Sequence, residues 1–196
     1  MPELRLGVLA IQGGFEAHCE VLRELGAEVS EVRLPADLVG IDGLVVPGGE
    51  STTISMGIES AGLAEPIRAL RDGGGTVFGT CAGMIVCDRE HLGLIDASAA
   101  RNAFGRQLQS FEADLEVEGI GDEPLRAVFI RAPWVERCGE GVEVLAAYEG
   151  HPVAIREGGV LACAFHPELT DDSRMHALFM AMTTGAPERA REEAET

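Results

Sequence analysis

Gly75-Thr76-Val77-Phe78-Gly79-Thr80-Cys81-Ala82-Gly83-Met84-Ile85 decides how the rest of the chain is read. Thr76-Val77-Phe78 is a β-branched and aromatic run preceded by Gly73, Gly74 and Gly75, the pattern of a short buried strand. From Cys81 onward the apolar residues Met84, Ile85 and Val86 continue without a turn signal, which predicts a buried helix. Cys81 therefore falls at a strand-to-helix turn. Gly79 and Gly83 flank it at two residues on each side, the G-x-S-x-G elbow spacing with Cys in place of Ser. Small flanking residues let the backbone turn sharply and raise the side chain at the carboxyl edge of a sheet. A thiol there meets a helix N-terminus, whose free N–H groups and dipole favour thiolate and can stabilise an oxyanion. A buried cysteine acting as a small hydrophobe fits the same residue. The choice rests on whether the chain also supplies a base and a group to orient it.

Upstream, Leu4 to Ile11 reads as a largely buried strand turned by Gln12-Gly13-Gly14. Phe15 to Leu25 carries apolar residues at helical spacing and is closed by Gly26 as its C′ residue. Glu28 to Leu34 alternates as a second strand, and Leu44-Val45-Val46 is a third, ending at Pro47-Gly48-Gly49. Leu63 to Leu70 reads as a helix leading into the central strand. This βαβ pattern predicts an α/β fold with a mixed, mainly parallel central sheet flanked by helices. Downstream, Phe111 to Val117, Arg126 to Ile130, Val142 to Tyr148, Val153 to Arg156 and Val160 to Phe165 are short runs parted by turn residues. They read as hairpin-joined strands forming the second half of that sheet. A last helix is expected over Ser173 to Met182, with Asp171 or Asp172 as its N-cap.

At 196 residues the chain makes one domain, expected over 1–185, with an acidic, disordered tail over 186–196. Its 33 acidic against 15 basic residues give a formal net charge of -18, which argues against nucleic acid and against anionic membrane surfaces. Five cysteines, Cys19, Cys81, Cys87, Cys138 and Cys163, are an odd number with no C-x-x-C. With no signal peptide in front of the first strand, they point to a reducing cytoplasm and away from a disulfide framework or a metal site. No apolar run approaches the length of a membrane span.

His166-Pro167-Glu168 supplies what Cys81 needs. In an extended chain residues i and i+2 share a face, so His166 and Glu168 can reach the same place. A carboxylate on one imidazole nitrogen fixes the tautomer and leaves the other nitrogen for a nucleophile. A surface His beside a Glu is the plainer reading of the tripeptide alone. Pro47-Gly48-Gly49-Glu50-Ser51-Thr52-Thr53 allows close approach of a backbone to a ligand; it equally fits a turn plus a helix cap at Ser51 or Thr52. Arg101-Asn102-Ala103-Phe104-Gly105-Arg106-Gln107 and Phe129-Ile130-Arg131-Ala132-Pro133 bring arginines suited to carboxylates, or to salt bridges with the many acidic residues. His18 and His176 fall in predicted helices as half-exposed or core-edge residues, His91 and His151 fall in turns, and none of the four is assigned a role. Cys87 and Cys163 read as core.

Together these blocks resemble a class I, triad-type glutamine amidotransferase. Gly79-Thr80-Cys81-Ala82-Gly83 resembles that family's nucleophile turn and His166-Pro167-Glu168 its His-x-Glu pair. The closer resemblance is to the glutaminase subunits of two-protein pyridoxal 5′-phosphate synthases. It rests on Gly48-Gly49-Glu50-Ser51-Thr52-Thr53, the turn with Met84, the two arginine blocks, Ser110-Phe111-Glu112-Ala113-Asp114, and Phe165-His166-Pro167-Glu168-Leu169-Thr170. It runs from about Arg5 to Met182.

The resemblance implies a flavodoxin-like amidotransferase fold. It implies Cys81 as nucleophile on the amide of L-glutamine, His166 as base and acid, and Glu168 as its orienter. It places glutamine against Gly49, Glu50, Ser51, Arg101, Ile130 and Arg131, with an oxyanion hole from backbone N–H groups at Gly49 and Ala82. Arg101 suits the carboxylate of glutamine, and Glu50 suits an ammonium or amide. The resemblance also implies ammonia passage to a (β/α)8-barrel synthase subunit in a hetero-oligomeric complex. That partner would be needed to switch the glutaminase on. No cofactor and no metal are implied, since vitamin B6 is the product of such a complex. Two other classes stay open on sequence: a thiol hydrolase or peptidase with a cysteine elbow, and a non-catalytic adaptor that binds the synthase.

Overall fold

The computed structural model describes residues 4–104 and 110–194. In chain order the elements are β1 (Arg5–Leu9), α1 (Phe15–Glu24), β2 (Glu28–Val32), β3 (Gly43–Val46), α2 (Ser51–Ser60), α3 (Ala64–Asp72), β4 (Thr76–Thr80) and α4 (Ala82–Cys87). Then come β5 (Ala97–Ala100), β6 (Ser110–Leu115), β7 (Leu125–Ile130), β8 (Trp134–Cys138), β9 (Glu143–Tyr148), β10 (His151–Glu157), β11 (Val160–Cys163) and α5 (Arg174–Ala194). Short 3-10 turns lie at Pro35–Leu38 and Pro167–Leu169.

Seven strands form the main sheet in the order β2-β1-β3-β4-β11-β10-β9. The run from β2 to β11 is parallel, and β10 and β9 add antiparallel to it. The mixed, mainly parallel α/β sheet expected from sequence is thus present, and β4 stands at its middle. Residues of β3, β4 and β11 are buried along their whole length, because helices cover both faces. That double burial is why these strands read as continuous apolar runs without alternation. Gly26, at φ 92, follows α1 in the left-handed conformation anticipated for its C′ position. At the start of α5, Asp172 is the acidic residue that accepts the backbone N–H of Arg174, at 3.0 Å.

Two sequence expectations are corrected. The second half of the chain does not simply extend the sheet. β6 and β7 pair with each other in a separate ribbon, and β5 pairs with β8 in another. The ribbon's own alternation could not reveal this, because a strand half-covered by any apolar neighbour alternates in the same way. Here the neighbour is an aromatic cluster: Phe111 stacks on Phe129 at 4.6 Å, and Phe129 meets Phe165 edge-on at 5.7 Å. Second, Ser51–Ser60 is a full helix, α2, where the sequence showed only a possible cap. α5 itself runs through 186–194, ending at Ala194. Ala, Glu and Arg dominate that stretch and are all strong helix formers.

Backbones approach closely where α4 starts. A methyl group added at Gly83 would overlap the backbone carbonyl of Val46, and one at Gly79 would fall 2.6 Å from the Gly83 oxygen. Both glycines of the elbow are therefore required by close backbone approach. Gly83→Ala should destabilise the fold by about 3 kcal/mol or more, since neither backbone can yield without moving β3. Gly185→Ala, where added atoms meet nothing within 4 Å, is the control and should leave the thermal midpoint unchanged or raise it slightly. Equal midpoints for the two variants would show that β3 and α4 are not locked together.

Candidate active site

In sheet order β1, β3, β4 and β11 are neighbours, so the turns leaving their carboxyl ends lie side by side. Those turns carry Gln12, Gly48-Gly49-Glu50, Cys81 and His166. Cys81 has φ 50 and ψ -111, a conformation L-residues rarely adopt. It is held there from both sides: its N–H donates to the Cys163 carbonyl at 2.8 Å, and its own carbonyl accepts from Met84 N–H at 3.1 Å. A strained backbone of this kind costs on the order of 1–3 kcal/mol and persists only where its surroundings over-determine it. The side chain is 6% exposed, and its sulfur lies 3.8 Å from the Ile130 carbonyl.

His166 closes the other side. Its N–H donates to the Val128 carbonyl at 2.9 Å, tying the end of β11 to β7. Its Nδ1 lies 2.7 Å from Glu168 Oε1. The pairing comes from the 3-10 turn at Pro167–Leu169, with His166 as the residue before it, and not from the extended i, i+2 geometry that the sequence suggested. Burial alone would depress the imidazole pKa, but contact with the Cys81 sulfur and the Glu168 carboxylate outweighs it and the pKa is raised. Burial pushes the Glu168 carboxyl up, but its bond to His166 and the charge of that ring win, and its pKa is lowered. The pair favours imidazolium beside carboxylate. Gly48 is the wall between base and thiol: a methyl there would fall 2.8 Å from His166 Cε1 and 3.1 Å from Cys81 Cβ.

A cavity of about 330 Å³ opens over Cys81 and His166. Gly49, Glu50, Ser51, Ala82, Arg101, Ile130 and Arg131 all line it, so every site residue named from sequence reaches this one place except Glu168. Glu168 sits behind His166, buried. Arg106 and Gln107 of the first arginine block fall outside the described residues. Four further lining residues, Gln12, Ile85, Asn102 and Pro133, had no assigned role. Gln12 could have been found, because it lies in the turn leaving β1, directly beside β3, where α/β sheets gather ligands. Its Oε1 accepts the Glu50 N–H at 2.8 Å.

Glu50 is the cap of α2, in place of the Ser51 or Thr52 expected. Its carboxylate accepts from Thr53 N–H at 2.7 Å, Thr53 Oγ1 at 2.8 Å and Thr52 N–H at 3.1 Å. These bonds, led by the Thr53 backbone, lower its pKa to about 2. Arg101 is exposed and donates from Nη1 to Thr52 Oγ1 at 2.9 Å. Asn102 and Arg131, at φ 47 and φ 44, are two further non-glycine residues in the left-handed region, both on the cavity wall.

His18 and His176 are not half-exposed helix residues. Both are fully buried. His18 Nδ1 lies 2.9 Å from His176 Nε2. His18 Nε2 lies 3.1 Å from Thr80 Oγ1 and 3.3 Å from Glu168 Oε2. Burial lowers the His18 pKa to about 4 and that of His176 to about 3. A lone His on a helix carries no sequence mark of such burial. Only the packing of α1 and α5 against β4 creates it.

A family model described as the SNO glutamine amidotransferase family matches residues 8–184. The chain is 52% identical over 185 residues to pyridoxal 5′-phosphate synthase subunit PdxT of Frankia alni, covering 90% of this chain and 93% of that one. It is 52% identical over 193 residues to the PdxT of Mycobacterium avium, covering 92% and 97%. A solved structure described as a glutamine amidotransferase superposes with a TM-score of 0.87 at 47% identity, over 91% of this chain and 98% of that one. A chain of the PurLQS structure from Thermotoga maritima shares the fold, with a TM-score of 0.74 at 18% identity over 91% and 98%.

The buried histidines make stability depend on acid. Below about pH 6.5, the ordinary imidazole value, the unfolded chain binds protons that folded His18 and His176 refuse, so stability falls as pH falls. His166 does not offset this, because its raised pKa gives stability already complete below pH 6.5 and lost only as pH rises. At about 1.4 kcal/mol per pKa unit, urea unfolding should show a loss of at least about 2 kcal/mol between about pH 6.5 and pH 4.5. A flat profile over that window would mean that both rings are protonated in the native state.

Proposed function

The chain belongs to the SNO glutamine amidotransferase family, and from that premise we propose that it is the glutaminase subunit of a pyridoxal 5′-phosphate synthase. Its site would hydrolyse L-glutamine to L-glutamate and ammonia through Cys81, His166 and Glu168. The observation that carries the reading is the 2.7 Å pairing of His166 with a buried Glu168 beside an elbow cysteine that faces a cavity.

Cys81 sulfur attacks the side-chain carbonyl carbon of glutamine, and the carbonyl oxygen becomes an oxyanion. Backbone N–H groups at Gly49 and Ala82 receive it; the first N–H groups of a helix lack intrahelical acceptors. The imidazolium of His166 gives its proton to the leaving nitrogen, the C–N bond breaks, and ammonia departs from a thioester on Cys81. His166, now neutral, takes a proton from water as the water attacks the thioester. The C–S bond then breaks, Cys81 leaves as thiolate beside the His166 imidazolium, which is the starting state, and the product acid departs as glutamate, releasing its side-chain carboxyl proton to water. Glu168 holds His166 in the tautomer that presents Nε2 to the sulfur and stabilises the imidazolium. Arg101 and Arg131 on the rim suit the α-carboxylate of glutamine. Glu50 is already engaged in capping α2, so it offers the substrate only its remaining lone pairs.

The ammonia passes to a (β/α)8-barrel synthase subunit, in keeping with the synthase-subunit name of the relatives. Hydrolysis without that partner would release ammonia to water, so control at the Gly48-Gly49 peptide is expected. Glycine peptides can turn at low steric cost, and an oxyanion hole missing one donor loses about 3 kcal/mol of transition-state stabilisation. All five cysteines are free, which suits a reducing cytoplasm. Among the described residues no helix is long and apolar enough to cross a membrane.

A glutamine-mimicking electrophile should label Cys81 alone, because burial raises the pKa of Cys19, Cys87, Cys138 and Cys163 and keeps them as thiols at neutral pH. Mass spectrometry showing label on those four with Cys81 free would sink the assignment. His166→Ala should lower turnover in the assembled complex by about a hundredfold to ten-thousandfold. Gly48→Ala should act likewise while keeping the fold, since its added methyl wedges between His166 and Cys81. Wild-type turnover in either variant would remove His166 from its role. Ammonia release from saturating glutamine should be slow for the isolated chain and rise on adding the synthase; equal rates would exclude the switch.

A further inference from the structure

The mechanism above uses one oxygen of Glu168. Oε1 holds His166, whereas Oε2 is buried and makes no hydrogen bond of good geometry in this structure. A carboxylate anchored at one oxygen can rotate about its Cγ–Cδ bond, and the His166 ring would follow it. An uncompensated buried carboxylate oxygen is also costly. His18 Nε2 is the nitrogen that approaches Oε2, at 3.3 Å, from the facing helix α1. Thr80 Oγ1, at the end of β4, lies 3.1 Å from the same nitrogen.

Which atom of His18 carries the proton decides what this contact does. The 2.9 Å contact between His18 Nδ1 and His176 Nε2 needs one hydrogen. Were it on His18 Nδ1, a bare lone pair at His18 Nε2 would face the Glu168 carboxylate. His176 would then carry its own proton on Nδ1, a buried atom with no partner in this structure. That arrangement sets two acceptors against each other and strands a buried donor. Were the hydrogen on His176 Nε2, His18 Nδ1 accepts it and His18 Nε2–H points at Thr80 and Glu168. Only an unfilled acceptor at His176 Nδ1 is then left, the smaller cost because no N–H is stranded. The depressed pKa values of both histidines keep each ring neutral, with one proton apiece.

We propose that His18 is a positioning residue of this site, holding its proton on Nε2 and presenting it to Glu168 Oε2 and Thr80 Oγ1, with His176 fixing that tautomer from behind. The chain His176–His18–Glu168–His166–Cys81 then runs from α5 to the elbow, each link donating to the next up to the carboxylate, which His166 meets from the other side. His18 touches neither substrate nor sulfur; it acts by fixing the plane of Glu168. This inference rests on the proposed glutaminase reading.

The test combines spectroscopy on the full chain with kinetics on the complex with the synthase subunit. In histidine-15N-labelled protein at neutral pH, His18 Nε2 should appear as pyrrole-type nitrogen and Nδ1 as pyridine-type. The reverse would overturn the proposal, and this readout needs no variant to fold and no activity. His18→Leu should lower kcat for glutamine hydrolysis by about tenfold to a hundredfold with KM changed less than about twofold. It should also broaden or remove the hydrogen-bonded His166 Nδ1–H resonance. His18→Gln, whose side-chain amide nitrogen falls near the imidazole Nε2 position, should recover most of kcat and that resonance. Wild-type kcat in a folded His18→Leu chain would overturn the positioning role. A wild-type complex that releases no ammonia from glutamine would instead sink the glutaminase reading, and the nitrogen assignment would still decide the tautomer of His18.

Discussion

The backbone of Gly83 lies so close to the carbonyl of Val46 that no side chain fits between them. Much of the site follows from that contact. It brings the start of α4 down onto the end of β3, and the chain leaving β4 must then turn within one residue. Cys81 is that residue, and its φ of 50 is the cost of the turn. The same closeness recurs at Gly48, whose missing side chain is the space in which His166 and Cys81 meet. Glycine is needed at these positions for approach. Gly48 does not lie in the left-handed region, so its substitution tests contact and not strain.

With the backbones locked, electrostatics set the chemistry. Glu168 is a carboxylate in a dry place, which is tolerable only if donors surround it. His166 supplies one, and the link is mutual: the carboxylate favours imidazolium, and imidazolium favours carboxylate. His18 and His176 stand on the far side as neutral rings, because burial refuses them a second proton. The site thus holds three imidazoles within one connected group and charges only the one nearest the cavity. Position decides this, since His166 alone has both a carboxylate and a sulfur beside it. Acid that protonates the neutral rings should therefore loosen the fold behind the site.

The cavity wall draws on parts of the chain that are remote in sequence. Ile130 and Arg131 come from the end of β7, a ribbon outside the main sheet, and Arg101 follows β5 of the other ribbon. The aromatic cluster of Phe111, Phe129 and Phe165 fastens the first ribbon to the sheet, and the bond from His166 N–H to Val128 fastens it again at the site. Loosening that cluster would move Ile130 away from Cys81 before it disturbed the sheet.

Sequence alone was enough for the parallel half of the sheet, for the elbow at Cys81 and for the partnership of His166 with Glu168. Each of these is carried by local signals: apolar runs, glycine spacing, and two polar residues close in the chain. Tertiary structure decided the rest. Glu50, and not Ser51 or Thr52, caps α2, because its longer side chain folds back onto Thr52 and Thr53 once Gln12 holds its N–H. The strands after Leu94 separated into two ribbons and an antiparallel extension, since alternation records that one face is covered and not by what. His18 and His176 turned out to be buried, His18 beside Glu168 and His176 behind His18. A histidine's burial depends on what packs over it from 158 residues away, and no local pattern encodes that distance.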